Sequence, residues 1–286
     1  MPPRFSATRE ISYAVTAKSR KGRVLIRSIE NTTGRLRLIH RARGYDKDIN
    51  DENSFWDVVT RRYGLELEVI SGALSNIPAK GPVVVISNHP YGILDGLMMG
   101  KILSTVRPEF KIMAHKVFSK AEEISDSILP ISFDGTREAL AMNLQTRKDA
   151  LDYINQGGVV GIFPGGSVSS PERMFSRPMD PEWRTFSAKM ISRSRAAVVP
   201  VFFEGYNSRR FHIAGRMSRT LRTALLVNEF KRRINKPVKI AVGEPLDPDA
   251  VAAYAKDPKA LMDYLRDATY ALSSKPINTA EYGQDF

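Results

Sequence analysis

Short apolar runs rich in Val and Ile recur along the chain, and longer stretches with helix signals separate them. Uninterrupted apolar runs of this kind are typical of strands that are buried on both faces. Alternation of such strands with helices predicts an α/β fold whose largely parallel, twisted sheet is flanked by helices. The predicted strands are 83–86, 111–114, 129–133, 159–163, 197–203 and 238–242.

Helix signals fill the stretches between these runs and one stretch after them. Asp95 stands where the N-cap of the first such helix is expected. One predicted helix is basic and amphipathic, with Leu221, Leu225, Phe230 and Ile234 on one side. The predicted helices are 95–104, 137–156, 182–193, 219–235 and 248–272.

Positive charge is concentrated in two segments of a chain whose net charge is +12 and whose pI is about 9.9. Residues 1–45 carry 11 Lys/Arg against two Glu, and residues 206–236 carry nine Lys/Arg against one Glu. Residues 244–286 are acidic. This polarised balance predicts an anionic partner, which would be a membrane surface, a nucleic acid or an acidic carrier protein.

The first 62 residues mix basic side chains with large aliphatic ones, a pattern that suits the interface of an anionic bilayer. The alternative is that these helices pack on the main domain, and both can hold at once. No run approaches the roughly 18–20 apolar residues that span a bilayer, so a membrane role would be peripheral. We predict a basic, helical, membrane-proximal segment over 1–62 and one α/β domain over 63–286.

Cysteine is absent from the chain, and the four histidines are scattered along it. The absence of cysteine excludes disulfides, zinc sites built on thiolates and a cysteine nucleophile. The histidines do not have the spacing of a metal-binding motif, so no metal is expected.

The segment 87–95 follows the first predicted strand directly and contains Asn88, His89 and Asp95. Ligands of open α/β sheets bind at the carboxyl ends of the strands. A histidine at a strand exit and a carboxylate at the start of the next helix can form a general base and the group that orients it. The alternative is that Asp95 only caps its helix and His89 is a loop residue without a chemical role.

This segment resembles the signature of the glycerolipid (PlsC-like) acyltransferase family of the lysophosphatidate acyltransferase type, which is Asn-His-x-x-x-x-Asp after a buried strand. Asn88, His89 and Asp95 match it, with five residues between His and Asp instead of four. Gly92 lies in this loop and can absorb the extra residue. The resemblance covers roughly residues 65–247. It implies that His89 is the general base and that Asp95 orients it.

Three later blocks carry the same resemblance in the same order. Residues 133–137 are similar to a Phe-Ile-x-Arg block, and residues 163–169 to Phe-Pro-Glu-Gly-Thr-Arg-Ser, with Gly165 for the glutamate and Val168 for the arginine. Residues 199–201 match a Val-Pro-Val strand that shapes the acyl pocket. The resemblance implies that the substrate-binding residues are Asn88, Arg137, Phe163, Pro164, Gly165, Gly166, Ser167 and Pro200.

Two further charged residues are candidates for substrate binding. Lys116 stands where the family often has lysines and would stabilise a developing oxyanion, although a surface role is the alternative. Glu204 follows a predicted strand and would meet a cationic head group. His115 is expected to be structural, and His40 and His212 have no assigned partner.

The five-residue spacing and the altered glycine block resemble the bacterial aminolipid branch of the family. That branch esterifies a lyso-aminolipid, such as lyso-ornithine lipid, at its 3-hydroxyacyl oxygen. The resemblance implies an acyl-carrier protein or coenzyme A thioester as donor and no further cofactor. It also implies a peripheral position on the cytoplasmic face of the inner membrane. Both donors are acidic and suit a basic surface.

Several other functions compete with lyso-aminolipid acylation as interpretations of the sequence. An enzyme that makes phosphatidic acid from 1-acylglycerol-3-phosphate is the first alternative, and a non-catalytic protein that binds anionic membranes is the second. A serine hydrolase using Ser167 lacks the Gly-x-Ser-x-Gly elbow, and a nucleotide-binding protein lacks the phosphate-loop motifs. Nucleic acid is not an expected partner, because aromatic residues are not interleaved with the basic segments.

Overall fold

The computed structural model describes residues 12–14, 17, 19–50 and 53–285. Within these residues, seven strands form one sheet in the order β1-β9-β8-β2-β5-β3-β4. Two very short strands, β6 (Ser170–Pro171) and β7 (Pro178–Met179), pair separately. The strands of the sheet are β1 (Glu66–Gly72), β2 (Val83–Ser87), β3 (Lys111–His115), β4 (Ile128–Ile131), β5 (Val159–Ile162), β8 (Ala197–Phe203) and β9 (Pro237–Val242).

Helices connect the strands and flank the sheet, as the sequence pattern predicts. They are α1 (Arg20–Glu30), α2 (Leu36–Ala42), α3 (Phe55–Tyr63), α4 (Ile93–Val106), α5 (Glu122–Ser125), α6 (Arg137–Asn155), α7 (Ala188–Ser194), α8 (Arg209–Met217), α9 (Arg219–Arg233), α10 (Pro248–Ala253) and α11 (Pro258–Tyr270). None of the helices in the described part of the chain is both long enough and apolar enough to cross a membrane.

The five strands from β8 to β4 in the sheet order are parallel, β1 is parallel to β9, and within this sheet of the described residues only the β8–β9 pair is antiparallel. Ile86 of β2 stands beside Ile162 of β5 and beside Pro200 of β8. The carboxyl ends of these three strands therefore lie side by side, and the loops that leave them meet at one edge of the sheet. The predicted α/β fold with a largely parallel sheet is confirmed.

Side chains of β2 alternate between two hydrophobic layers because successive residues of a strand point to opposite faces. Val83 and Val85 belong to a layer that α3, α4 and α9 cover. Val84 and Ile86 belong to a second layer that α6, α7 and α11 cover. The central strand is fully buried on both faces, which explains its uninterrupted apolar run.

Several predicted element boundaries are wrong for identifiable reasons. Asp95 is not the N-cap of α4, because the helix begins at Ile93 and Gly92 occupies the cap position. The helix predicted over 248–272 is two helices, since Pro258 starts the second one. The helix predicted over 182–193 begins only at Ala188. Strand β1 was not predicted because it is half exposed and carries no apolar run.

The basic helices near the start of the chain pack on the core through one side only. A turn of π-helix over 31–35 joins α1 to α2. Ile26 is buried against Ala224 of α9, and Leu38 is fully buried. On the outer side Val24 is 67% exposed and Leu36 is 58% exposed. Packing on the core therefore leaves an apolar and basic outer face.

Gly100 of α4 allows close contact between α4 and α3. A Cβ atom on Gly100 would lie 2.1 Å from Cε3 of Trp56, whereas a Cβ on Gly96 of the same helix would meet nothing within 4 Å. We expect Gly100→Ala to lower the free energy of unfolding by about 1–3 kcal/mol because it overpacks this contact. Gly96→Ala is the matched control and should raise that free energy by up to about 1 kcal/mol. Chemical denaturation measures both, and equal effects at the two positions would contradict the packing described.

Candidate active site

His89 and Asp95 meet in the loop between β2 and α4. Nδ1 of His89 lies 2.9 Å from Oδ2 of Asp95. The same oxygen accepts hydrogen bonds from the main-chain N–H groups of Tyr91 (2.7 Å) and Gly92 (2.9 Å). Gly92 has a φ of 89°, a conformation that glycine adopts without strain. This turn brings the two side chains together across the five-residue spacing.

Asp95 lies in an environment that suits a carboxylate whose role is to orient the His89 ring. The side chain is fully buried, and burial raises the pKa of its carboxyl above the ordinary value. The contact with His89 and the hydrogen bonds from Tyr91 and Gly92 act in the opposite direction. The carboxylate therefore depends on these three neighbours for its stability, and a protonated His89 would stabilise it further.

The backbone and ring of His89 are held from three directions. Its N–H donates to Oδ1 of Asp180 (3.1 Å), and its carbonyl accepts from the N–H of Ser169 (2.8 Å). Its ring packs against Phe163, with 4.5 Å between the ring centroids. The side chain of His89 retains 19% exposure. Because Nδ1 faces Asp95, the other ring nitrogen, Nε2, is the one that would serve a substrate.

Asp180 contacts the His89 loop, and the sequence pattern did not indicate it. It is fully buried, accepts from the hydroxyl of Ser169 through Oδ1 and accepts from Nε1 of Trp183 (3.0 Å) through Oδ2. A Cβ atom on Gly165 would lie 3.3 Å from the Asp180 side chain. Glycine at position 165 therefore leaves room for this carboxylate beneath His89.

A cavity of about 1150 Å³ extends from His89 into the core. This volume exceeds the range of about 300–1,000 Å³ that is usual for small-molecule pockets. Its lining contains many apolar side chains and a set of polar and cationic ones. The apolar lining includes Phe55, Trp56, Val59, Leu97, Phe118, Ile124, Ile128 and Phe230. The polar lining includes His115, Ser132, Asp134, Asn143, Ser167, Arg184, Arg219 and Arg222.

The glycine block after β5 supplies the wall of this cavity beside His89. Phe163, Pro164, Gly166 and Ser167 all line it. Gly165 is adjacent in sequence but faces Asp180 instead. The structure thus brings most of this predicted block beside His89.

Asn88 precedes His89 but its side chain connects two strands. Its Nδ2 donates to the carbonyl of Phe203 (2.9 Å), and its Oδ1 accepts from the N–H of the same residue (2.7 Å). Asn88 is 3% exposed and is not part of the cavity lining. These bonds fix the end of β2 against the end of β8 and so support the His89 loop.

The other predicted binding residues lie outside the cavity lining. Nζ of Lys116 lies 2.5 Å from Oδ2 of Asp134, which does line the cavity. Arg137 is exposed at the first turn of α6, and Pro200 lies in the middle of β8. Oε2 of Glu204 accepts from the N–H of Ser274 (3.2 Å).

No group of three His, Cys, Asp or Glu side chains with the geometry of a metal site occurs among the described residues. The arrangement allows proton transfer by His89 beside a cavity with many apolar side chains. Such a site suits the transfer of an acyl group to a hydroxyl, with His89 taking the hydroxyl proton and the apolar side chains holding a lipid chain.

Comparison with known proteins supports the same class of chemistry, which is acyl transfer. Residues 69–204 match the family model described as Acyltransferase. The chain is 26% identical over 216 residues to a lyso-glycine lipid O-acyltransferase of Phocaeicola vulgatus, covering 73% of this chain and 74% of that protein. It is 26% identical over 220 residues to a protein of the same name from Bacteroides thetaiotaomicron, covering 73% of this chain and 76% of that protein.

One solved structure of low identity is also similar. It is the crystal structure of the 1-acyl-sn-glycerophosphate acyltransferase PlsC from Thermotoga maritima, with a TM-score of 0.48 and 13% identity. The similarity covers 93% of this chain and 87% of that one. The family match and the two relatives show that the chain is similar to acyltransferases over the part that contains His89 and Asp95.

Proposed function

We propose that this enzyme transfers a fatty acyl group from an acyl thioester to the hydroxyl of a lyso-aminolipid. The observation that carries the proposal is the His89–Asp95 pair, whose histidine lines a large cavity with many apolar side chains. The two relatives named lyso-glycine lipid O-acyltransferases support this class of acceptor. The donor would be acyl-carrier protein or coenzyme A carrying the acyl group.

In this mechanism Nε2 of His89 takes the proton from the acceptor hydroxyl as its oxygen attacks the thioester carbonyl. The C–S bond of the tetrahedral intermediate then breaks, and the proton passes from His89 to the leaving thiolate. The products are an ester and a free thiol. Asp95 stabilises the imidazolium between these two steps, and no residue of the protein is acylated.

The apolar side chains that line the cavity would hold the acyl chain. Gly96 also lines the cavity, and a side chain added there would project into open space. We expect Gly96→Phe to lower kcat/KM by about tenfold or more for a hexadecanoyl donor, because each methylene kept out of an apolar site costs about 0.8 kcal/mol. An octanoyl donor should be affected much less, and Gly96→Ala is the size control. Equal losses with both donors would contradict this placement of the chain.

A second candidate function is the formation of phosphatidic acid from 1-acylglycerol-3-phosphate. The polar part of the cavity carries Arg184, Arg219 and Arg222, and arginines also bind phosphate well. Against this acceptor, Val168 stands where the resembling family block has an arginine.

The test is transfer of a labelled acyl group from acyl-carrier protein and from coenzyme A to separate lysolipid acceptors. The acceptors are N-(3-hydroxyacyl)glycine, lyso-ornithine lipid and 1-acylglycerol-3-phosphate. We expect turnover with an aminolipid acceptor. Turnover with the phosphate acceptor alone would favour the second candidate. Folded protein that shows no turnover with any pair would overturn the proposal and favour a non-catalytic membrane-binding protein.

We also propose that the outer face of α1 and α2 binds the anionic, cytoplasmic face of the inner membrane. Val24, Leu25 and Leu36 are exposed there among basic side chains. Apolar side chains that insert beside cations are typical of interfacial helices. The cavity borders this region, since Gly22 and Ile26 of α1 line it. A lysolipid would therefore have a short path from the bilayer to His89.

Binding to vesicles checks this surface. We expect the double variant Val24→Ser, Leu25→Ser to bind about tenfold or more weakly to vesicles containing phosphatidylglycerol, because two inserted side chains are lost. Binding of the wild type should weaken with added salt. The control is Leu140→Ser with Leu144→Ser, two exposed leucines of α6. If the control loses as much binding as the α1 variant, the surface is wrongly assigned.

A further inference from the structure

The carboxylate of Asp285 is bound at the polar end of the active-site cavity. The hydroxyl of Ser167 donates to its Oδ1 (3.1 Å), and Nη2 of Arg184 donates to its Oδ2 (3.0 Å). Ser167 and Arg184 both line the cavity. The two donors therefore hold one carboxylate oxygen each, and the bond from Arg184 is charge-assisted.

A second cation, Arg222, contributes to the field at this position. Arg222 is 6% exposed, and its Nη2 donates to the carbonyl of Val168 (2.6 Å), next to Ser167 in the chain. Burial and the neighbouring Arg219 lower the pKa of Arg222 to about 10, and the negative charge of Asp285 counteracts this. A carboxylate in this corner thus offsets the cost of keeping a buried guanidinium charged.

The segment that carries Asp285 is held along its length. Nη1 of Arg266 donates to the carbonyl of Thr279 (2.7 Å), and Nη2 donates to that of Glu281 (2.7 Å). Its guanidinium also lies 4.3 Å from the ring centroid of Tyr282. The N–H of Gly283 then donates to the carbonyl of Asp180 (2.9 Å). These contacts hold the segment so that the side chain of Asp285 lies at the cavity.

The donors that hold the Asp285 carboxylate line the same cavity as His89. Ser167 lies two residues before Ser169, whose N–H donates to the carbonyl of His89. Phe163, at the start of the same block, packs on the His89 ring. A ligand that displaces Asp285 would therefore reach the reacting group without leaving the cavity.

We propose that Ser167 and Arg184, beside Arg222, form the subsite for the carboxylate of the acceptor, and that Asp285 occupies this subsite when no acceptor is bound. This inference rests on the proposed lyso-aminolipid acceptor and specifies its head group. An N-acylated amino acid carries one planar, singly charged carboxylate, as Asp285 does. The acceptor carboxylate and Asp285 would compete for the same donors. Asp285 therefore acts as an internal mimic of the head group.

The first experiment measures acceptor binding by calorimetry without any acyl donor. The ligands are N-(3-hydroxyacyl)glycine and its glycinamide, which has the same size but no charge. We expect Arg184→Gln to weaken binding of the glycine compound by about tenfold, because a charge-assisted hydrogen bond is lost, and to leave the amide unaffected. Ser167→Ala should give a smaller loss with the same selectivity. The control is Arg193→Gln, an exposed arginine of α7.

The second experiment removes the internal competitor. Asp285→Asn is expected to tighten binding of the glycine compound by about twofold to fivefold, since only an exposed ion pair is removed. KM for this acceptor should fall and kcat should not change. Asp267→Asn, an exposed residue of α11, is the control.

Equal effects of Arg184→Gln on the acid and the amide, or no effect of Asp285→Asn, would overturn the subsite. Because binding is measured without a donor, this result is separate from the outcome for acyl transfer. Carboxylate-selective binding without turnover would refute the enzyme function and keep the subsite. Turnover without carboxylate selectivity would refute the subsite and keep the enzyme function.

Discussion

The His89→Ala protein is expected to show acyl transfer reduced by about 10²–10⁴-fold in kcat/KM, with its fold intact. The loss follows from removal of the general base, which is worth this much in enzymes that activate a hydroxyl. The His89 side chain is partly exposed, packs on Phe163 and contacts the buried Asp95 carboxylate. Circular dichroism should show the wild-type fold, although loss of the contact with Asp95 lowers the thermal midpoint.

A matched histidine separates this effect from a general loss of histidine side chains. His40 lies exposed on α2 and does not line the cavity. His40→Ala should retain wild-type turnover under the same conditions. A His89→Ala protein that is folded and turns over within a few-fold of the wild type would exclude His89 as the base.

Asp95→Asn is expected to reduce kcat by about 10²-fold or more without lowering stability at neutral pH. The amide has the shape of the carboxylate but cannot stabilise an imidazolium, so the proton transfer suffers. Burial raises the pKa of Asp95, which means that its ionised form is the costly one in the folded protein. An uncharged residue of the same size removes that cost.

The sign of the pH dependence follows from linkage. The folded protein binds a proton at Asp95 more tightly than the unfolded chain does. The stabilisation linked to this proton is present in full below the unfolded pKa of about 3.9 and is lost as pH rises through the raised folded value. The free energy of unfolding should therefore be measured for the wild type and Asp95→Asn across acid pH. We expect the variant to become more stable relative to the wild type as pH rises. A variant that becomes relatively less stable with rising pH would show that Asp95 stabilises the fold through its charge.

The activity of the wild type should fall at acid pH for the same reason. A protonated Asp95 has no charge with which to hold His89, so the acid limb of the rate profile reports on the His89–Asp95 pair as a unit. The Asp95→Asn protein has no carboxyl to titrate at this position. Its residual rate should consequently depend less steeply on pH over the same range.

The sequence was most informative where a motif follows a buried strand. The apolar runs of β2 and β5 are unmistakable because both faces of these strands are covered. Two parallel strands that are neighbours in the sheet place the loops after them together, and the segments at His89 and Phe163 meet for this reason. The contact between their rings shows this in the structure.

Residues that reach the site from elsewhere in the chain could not be predicted in this way. Asp180 follows a strand of two residues and lies 91 positions from His89, and no local pattern marks it. Arg184 and Asp285 are 101 positions apart and meet only in the folded protein. The one available signal was indirect: glycine at position 165 makes room for a side chain from another segment.

The acceptor is the central claim, and competition between acceptors tests it most directly. Equimolar N-(3-hydroxyacyl)glycine and 1-acylglycerol-3-phosphate are mixed with one acyl donor and the wild-type protein, and mass spectrometry gives the ratio of the two ester products. That ratio equals the ratio of the two kcat/KM values. We predict that the acylated glycine lipid dominates the products. A predominance of phosphatidic acid would contradict the assignment.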